Sequence, residues 1–180
     1  KGINVLRTGV EKLSAQEIRA CISDAGIVGM GGASFPSVIK LTPPKPVDTL
    51  IINGAECEPF LTSDSRLMIE KAHEIIKAIP LIQKCINAEK VYIAIEDNKP
   101  QAIKAIEKAA KSTSYTIKIL PSQYPQGGEK QLIERVVDRQ VPSGKLPFEV
   151  GVVVHNVATV YAIYEAVYLS KPLYERVVTV

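Results

Sequence analysis

The sequence is poor in the residues from which most metal, thiol and nucleic-acid chemistry is built. Its 180 residues include three cysteines and two histidines. Cys21, Cys57 and Cys85 lie far apart, and no Cys-x-x-Cys is present. Only His73 and His155 stand beside them, so neither a zinc nor an iron–sulfur motif is encoded. Unpaired thiols of this kind suit a reducing cytosol. Aromatic residues make up 6% of the chain and the net charge is only +3, with the basic residues scattered. That excludes the dense basic stripe with interleaved aromatics expected of a nucleic-acid surface. No apolar run approaches the ~18 residues of a membrane helix, and the chain opens without a secretory pattern. There is no Gly-x-Ser-x-Gly elbow, no His-Glu-x-x-His, and no Gly-Lys-Ser or Gly-Lys-Thr. Hydrolase and kinase readings therefore lack their usual anchors.

What remains is a globular balance of 46% apolar and 23% charged residues, long enough for one domain with a proper core. A start at Lys1 rather than methionine suggests a piece of a longer chain. Short apolar runs at 48–53, 90–95, 115–120 and 151–154 read as buried strands. Helical patterns separate them. One spans Ser65 to Asn87, where Pro80 is expected to kink or break it. Another opens at Pro100, capped by Asn98 or Lys99, and runs to about Lys111. Further helices start near Gly128 and Asn156. This alternation predicts an α/β fold, a Rossmann-like three-layer sandwich with a mostly parallel sheet, over residues 1–180 as a single domain.

Glycine is concentrated between Gly26 and Pro36. Such a loop turns tightly and presents backbone N–H groups, which suits phosphate and ring binding. It is preceded by a helix: Ser14 to Glu17 has capping-box spacing, and Ile18, Ile22 and Ala25 share one face. The dinucleotide fingerprint instead follows a strand, and Ser34 stands where its third glycine should be, so an ordinary Rossmann motif is excluded. The alternative is a plain helix-to-loop connection. The proline-rich stretch Thr42 to Pro46 reads as a stiff surface turn.

Three further polar segments are expected beyond the carboxyl ends of strands, where ligands collect in such sheets. Asn53 to Pro59 follows the first strand and contains Glu56 and Glu58, which would point the same way if the segment stays extended. Its alternative is a solvated acidic turn, and Cys57 is either a weak hydrogen-bonding group or an inert thiol. Tyr124 to Lys130 leads into a helix with Gly127 and Gly128 at its start, where N–H groups favour an anion. Glu129 there either meets a ligand or simply supports the helix start. Asn156 is positioned to cap the last helix, with Thr159 in its first turn; a lone His155 reads as a hydrogen-bonding group, not a base.

In this order the four segments resemble the NADH/FMN-binding domain of the flavoprotein subunit of respiratory complex I. The stretches that carry the resemblance are Gly29-Met30-Gly31-Gly32-Ala33-Ser34-Phe35-Pro36, Asn53 to Pro59, Tyr124 to Gln131 and Val154 to Val157. The chain is still more similar to the C subunit of Rnf ion-translocating ferredoxin:NAD oxidoreductases. Relatives include the electron-transfer protein of proline reductase and a microcompartment cobalamin reductase. The resemblance spans about Ile18 to Val180.

It implies binding of FMN and NADH, with electrons passed singly to 4Fe–4S clusters whose cysteines lie beyond Val180. By that resemblance Gly29, Gly31, Gly32 and Ala33 lie along the flavin. Lys40, Asn156 and Thr159 hold its phosphate side, with His155 in the same segment. Asn53, Glu56 and Cys57 face the ring and ribityl chain, with Tyr124 and Gly127 nearby, while Phe35, Glu58 and Glu129 meet the nicotinamide nucleotide. No catalytic side chain and no metal ligand is implied. The partners implied are NAD(H), other subunits of a membrane-bound electron-transport complex and, indirectly, a ferredoxin-type protein. The location implied is cytoplasmic, peripheral to the membrane through those subunits. Met30, Ser34, Ala55, Gly128 and His155 depart from the complex I pattern, and the departures at Met30, Ala55 and Gly128 remove charge. Met30, Ala55, Gly128 and His155 motivate a second reading, a flavin-free docking module of the same fold. A hydrolase built on Cys57 is a third.

Overall fold

The computed structural model describes residues 6–177; Lys1 and the last three residues of the resembling span lie outside the described residues. The first helix, α1 (Ala15–Asp24), starts at the expected capping box: the Ser14 hydroxyl accepts from the Glu17 N–H, and the Glu17 carboxylate accepts from the Ser14 N–H. Ile18 and Ile22 face inward. After the glycine loop comes a one-turn helix, α2 (Ser37–Lys40). The rest alternates: β1 (Thr49–Gly54), α3 (Ser63–Glu70), α4 (Ala72–Ile86), β2 (Lys90–Glu96), α5 (Pro100–Ala110), β3 (Thr116–Leu120), α6 (Glu129–Val137), β4 (Val152–Asn156) and α7 (Val157–Leu169).

All four strands are parallel, in the order β3-β2-β1-β4. Side chains alternate across the sheet because strand periodicity is two. Leu50, Ile52, Val91, Ile93, Ile95 and Val153 pack against α1, α3, α4, α5 and α7 on one face. Ile51, Ala94, Leu120, Val152 and Val154 pack against Leu132, Ile133 and Val136 of α6 on the other. The chain steps from β1 outward to β3, then returns past α6 to add β4 on the opposite side of β1. The winding therefore reverses between β1 and β4, and a cleft opens beyond their carboxyl ends. Three layers and a parallel sheet match the fold expected from the sequence.

The long helical pattern at 65–87 is divided, but not at Pro80. It breaks at Lys71 (φ −126°, ψ 25°), and α4 runs through Pro80 without interruption. Pro80 faces solvent, where the lost ladder bond is cheapest to lose, while Ile75, Ile79 and Ile82 anchor the helix to the core. The break lets α3 turn toward α5 while α4 packs against α7, α5 and α1. Asn87, in the left-handed region, ends α4. Among the described residues no helix is long and apolar enough to cross a membrane. Because Pro80 is a solvent-facing proline inside an intact helix, Pro80→Ala is expected to raise stability by about 1–2 kcal/mol in urea unfolding.

Candidate functional site

The cleft at the β1–β4 fork holds a cavity of about 410 Å³, within the ~300–1,000 Å³ range of small-molecule sites. One wall is the glycine loop. The Gly29 N–H donates to the Phe35 carbonyl at 2.7 Å, and Val28 and Pro36 form an antiparallel bridge, so the loop is pinched at its base. Gly32 adopts φ 113°, a conformation that side chains rarely take. A Cβ at Gly29 or Gly31 would meet only ordinary contacts, the nearest being 3.5 Å and 3.6 Å away. Packing of the chain therefore does not require glycine at these two positions; their bareness leaves an open floor. The Met30 N–H donates to Thr159 Oγ1 at 2.9 Å, tying the loop to the first turn of α7. The Met30 side chain packs against the main core.

Two asparagines stand side by side at the strand ends, since Asn53 and Asn156 are register partners. Asn156 caps α7, its Oδ1 accepting from the Ala158 and Thr159 N–H groups at 2.8 and 3.4 Å, as expected from the sequence. Its amide donates to Asp64 of α3. The Asn53 amide donates to the Gly127 carbonyl at 3.0 Å, and its Oδ1 accepts from the Ala55 N–H at 3.0 Å. This clamps the segment after β1 to the segment before α6. Gly127 fits there because a Cβ would sit 2.6 Å from the Ala55 carbonyl oxygen.

Lys40 and Glu129 face each other across the cavity at 2.6 Å, and Lys40 also donates to the Val154 carbonyl at 3.0 Å. His155 lies in β4 itself, not in the loop after it, and is 3% exposed with no partner for Nε2. Burial, reinforced by the charge of Lys40, lowers its pKa to about 3, so the ring is neutral at physiological pH. Ser37 Oγ is likewise buried without a partner.

The structure thus gathers Gly29, Gly31, Ala33, Phe35, Lys40, Asn53, Gly127, Glu129, His155, Asn156 and Thr159 around one cavity. Gly32, Glu56, Cys57, Glu58 and Tyr124 are not among its lining residues. Glu56 and Glu58 do not point the same way. Glu56 is buried beneath the start of α3, accepting from the Asp64 and Ser65 N–H groups at 2.8 and 3.3 Å and from the Ser63 hydroxyl, with Lys99 3.6 Å away. It supplies the cap that Thr62 does not, whereas Glu58 is exposed. Cys57 Sγ accepts from the Gly127 N–H at 3.3 Å, and Tyr124 is 66% exposed.

Another part of the lining is made of residues that carry no binding signal in the sequence. Thr42, Pro43 and Pro44, which read locally as a surface turn, line the cavity with Ile39 and the Leu146-Pro147-Phe148 segment. No local motif marks that last segment. Ser37, one residue past the glycine-loop proline, is the missed polar residue that motif reasoning could have reached. Among the described residues no group of three or more His, Cys, Asp or Glu side chains is arranged to hold a metal ion.

The chain is similar to several known proteins. A family profile described as the Nuo51 FMN-binding domain matches residues 22–165. The C subunit of the proton-translocating ferredoxin:NAD(+) oxidoreductase complex of Clostridium ljungdahlii is 50% identical over 172 residues, which is 94% of this chain and 38% of that protein. The C subunit of the Na(+)-translocating ferredoxin:NAD(+) oxidoreductase complex of Acetobacterium woodii is 45% identical, covering 94% of this chain and 39% of that protein. Its counterpart in the ion-translocating oxidoreductase complex of Rhodobacter capsulatus is 46% identical, covering 99% and 35%. The chain therefore spans somewhat over a third of these relatives. Among solved structures, an NAD+-reducing [NiFe]-hydrogenase in its H2-reduced state superposes with a TM-score of 0.74 at 26% identity, covering 88% of this chain and 32% of that chain.

The site also makes stability depend on pH. Burial pushes Asp64 up to about 6, against the Asn156 hydrogen bond and with help from the Glu56 charge. An unfolded aspartate titrates at ~3.9, so between about pH 4 and 6 the native state holds a proton that the unfolded chain has released. Stability from this group falls as pH rises through that window. His155 works in the opposite sense, losing stability as pH drops below about 6.5 because the native ring stays neutral. Asp64→Asn is therefore expected to remove a loss of up to about 2 kcal/mol between pH 4 and 6, read as the difference between variant and wild-type urea profiles.

Proposed function

The chain belongs to the Nuo51 FMN-binding domain family, and on that premise we propose that it binds FMN in the β1–β4 cavity as the flavin domain of an NADH-oxidising subunit. By analogy with its relatives, that is the C subunit of an ion-translocating ferredoxin:NAD(+) oxidoreductase complex. NADH is the electron donor, and iron–sulfur clusters held elsewhere in the longer protein take the electrons onward. Association with the membrane is through partner subunits.

The residues fit a flat, phosphorylated ring. The observation that carries the reading is the pair of buried, unpartnered polar atoms, Ser37 Oγ and His155 Nε2, in the lining of a cavity floored by Gly29 and Gly31. A buried polar atom without a partner costs about 1–3 kcal/mol, so such atoms point to a ligand or water that completes them. When bound, FMN accepts a hydride from a nicotinamide and releases electrons one at a time.

The chain's own work is binding and orientation. Gly29 and Gly31 leave the backbone bare for close approach, and Lys40 offers the cationic partner for a phosphate. The first turn of α7 adds a positive helix end, although Asn156 already occupies its Ala158 and Thr159 N–H groups. Neutral His155 provides a donor or acceptor without adding charge beside the ring. Asn53, held by Gly127 and Ala55, keeps the two sides of the cleft at a fixed spacing.

The protein incubated with FMN is expected to retain a visible flavin band through gel filtration, and anaerobic NADH is expected to bleach it. Gly31→Val, which fills the floor without disturbing the core, is expected to weaken FMN binding more than about tenfold while the thermal midpoint moves only a few degrees. Calorimetry giving no heat with either FMN or NADH for correctly folded protein would instead favour the flavin-free docking module.

A further inference from the structure

We propose that Glu129 is a built-in competitor for the anion site: its carboxylate holds Lys40 across the cavity, and a phosphorylated ligand must take Lys40 away from it. This rests on the reading of the cavity as a site for a phosphate-bearing ring. Among the described residues, Lys40 and Glu129 are the only charged side chains in the lining, His155 being neutral, and they are paired with each other at 2.6 Å. The cavity therefore carries no net charge of its own. An incoming phosphate finds its one cation occupied and a carboxylate beside it.

The geometry also makes the exchange easy. Both side chains are about one-third exposed, at 30% and 37%, so neither is locked by desolvation. Lys40 keeps a second bond to the Val154 carbonyl, on an edge strand with β1 as its single neighbour, so it stays aimed into the cavity after letting Glu129 go. Glu129 is the first residue of α6, where the helix dipole favours a carboxylate even without its lysine. Glu129 thus lowers affinity for phosphorylated ligands in particular. It narrows the difference between FMN and riboflavin, which lacks the phosphate.

The test is equilibrium titration of FMN and of riboflavin, followed by flavin fluorescence, against wild type, Glu129→Gln, Lys40→Met and the double variant. Glu129→Gln is expected to tighten FMN binding about three- to tenfold and to leave riboflavin within about twofold. In the Lys40→Met background the same substitution is expected to change FMN binding by less than about twofold, because nothing remains to compete for. Equal gains for both flavins would mean that the substitution reshapes the cavity, and would overturn the proposal. So would an undiminished FMN gain in the Lys40→Met background, which is plain repulsion and not competition. An unchanged FMN affinity in Glu129→Gln, with FMN bound normally by wild type, overturns the competition while leaving the flavin reading intact. Failure of both folded proteins to bind FMN overturns the flavin reading, and the competition with it.

Discussion

The parallel pairing of β1 with β4 is the constraint on which the rest of this site depends. It places Asn53 opposite Asn156 at the point where the winding of the sheet reverses. From there one asparagine caps α7 and reaches Asp64, while the other ties the loop after β1 to the loop before α6. Thr159, in the first turn of α7, then holds the glycine loop through the Met30 N–H. The glycine-loop side of the cavity and the loops after β1 and before α6 are hung from this one register. A slip of one residue would turn Ile51, Val152 and Val154 away from α6 and carry both asparagines off the cleft.

Hydrogen-bond accounting separates the polar residues of the site into two kinds. Glu56, Asn53 and Asn156 are spent on backbone groups and on the Ser63 and Asp64 side chains of α3, and they build the frame. Ser37 and His155 are buried with polar atoms left over, and they face the space the frame encloses. Glu56 shows how misleading residue type alone can be. A carboxylate in a loop beside a ligand cleft invites a role in binding, yet here it satisfies the start of α3, a helix without a side-chain cap of its own. Met30 and Ala55 serve packing, since one side chain joins the main core and the other lies beneath α6.

Elements governed by neighbours a few positions away were readable from the residues. Ser14 and Glu17 start α1, Pro100 opens α5, and Asn156 caps α7, because each involves a bond spanning two or three residues or a fixed φ. The break at Lys71 was not readable. Proline is the stronger local breaker, but Pro80 lies on the wet side of a helix held by Ile75, Ile79 and Ile82, and tertiary packing outweighs propensity there. The separation of Glu56 from Glu58 escaped for the same kind of reason, since the buried N–H groups that capture Glu56 belong to a helix beginning several residues later.

The glycine loop, the strand ends and the helix caps were thus present in the residues as local chemistry, and with them the α/β class. Their convergence was not. Asp64 reaches Asn156 across 92 positions and Met30 reaches Thr159 across 129, contacts that exist because parallel strands bring distant segments to the same end of a sheet. The apolar wall at Leu146 to Phe148, the neutral state of His155 and the pairing of Lys40 with Glu129 depend on which surfaces then come to face one another. Short-range bonds are encoded by spacing. Burial and charge pairing arise from the packing of whole layers, and no stretch of sequence carries them alone.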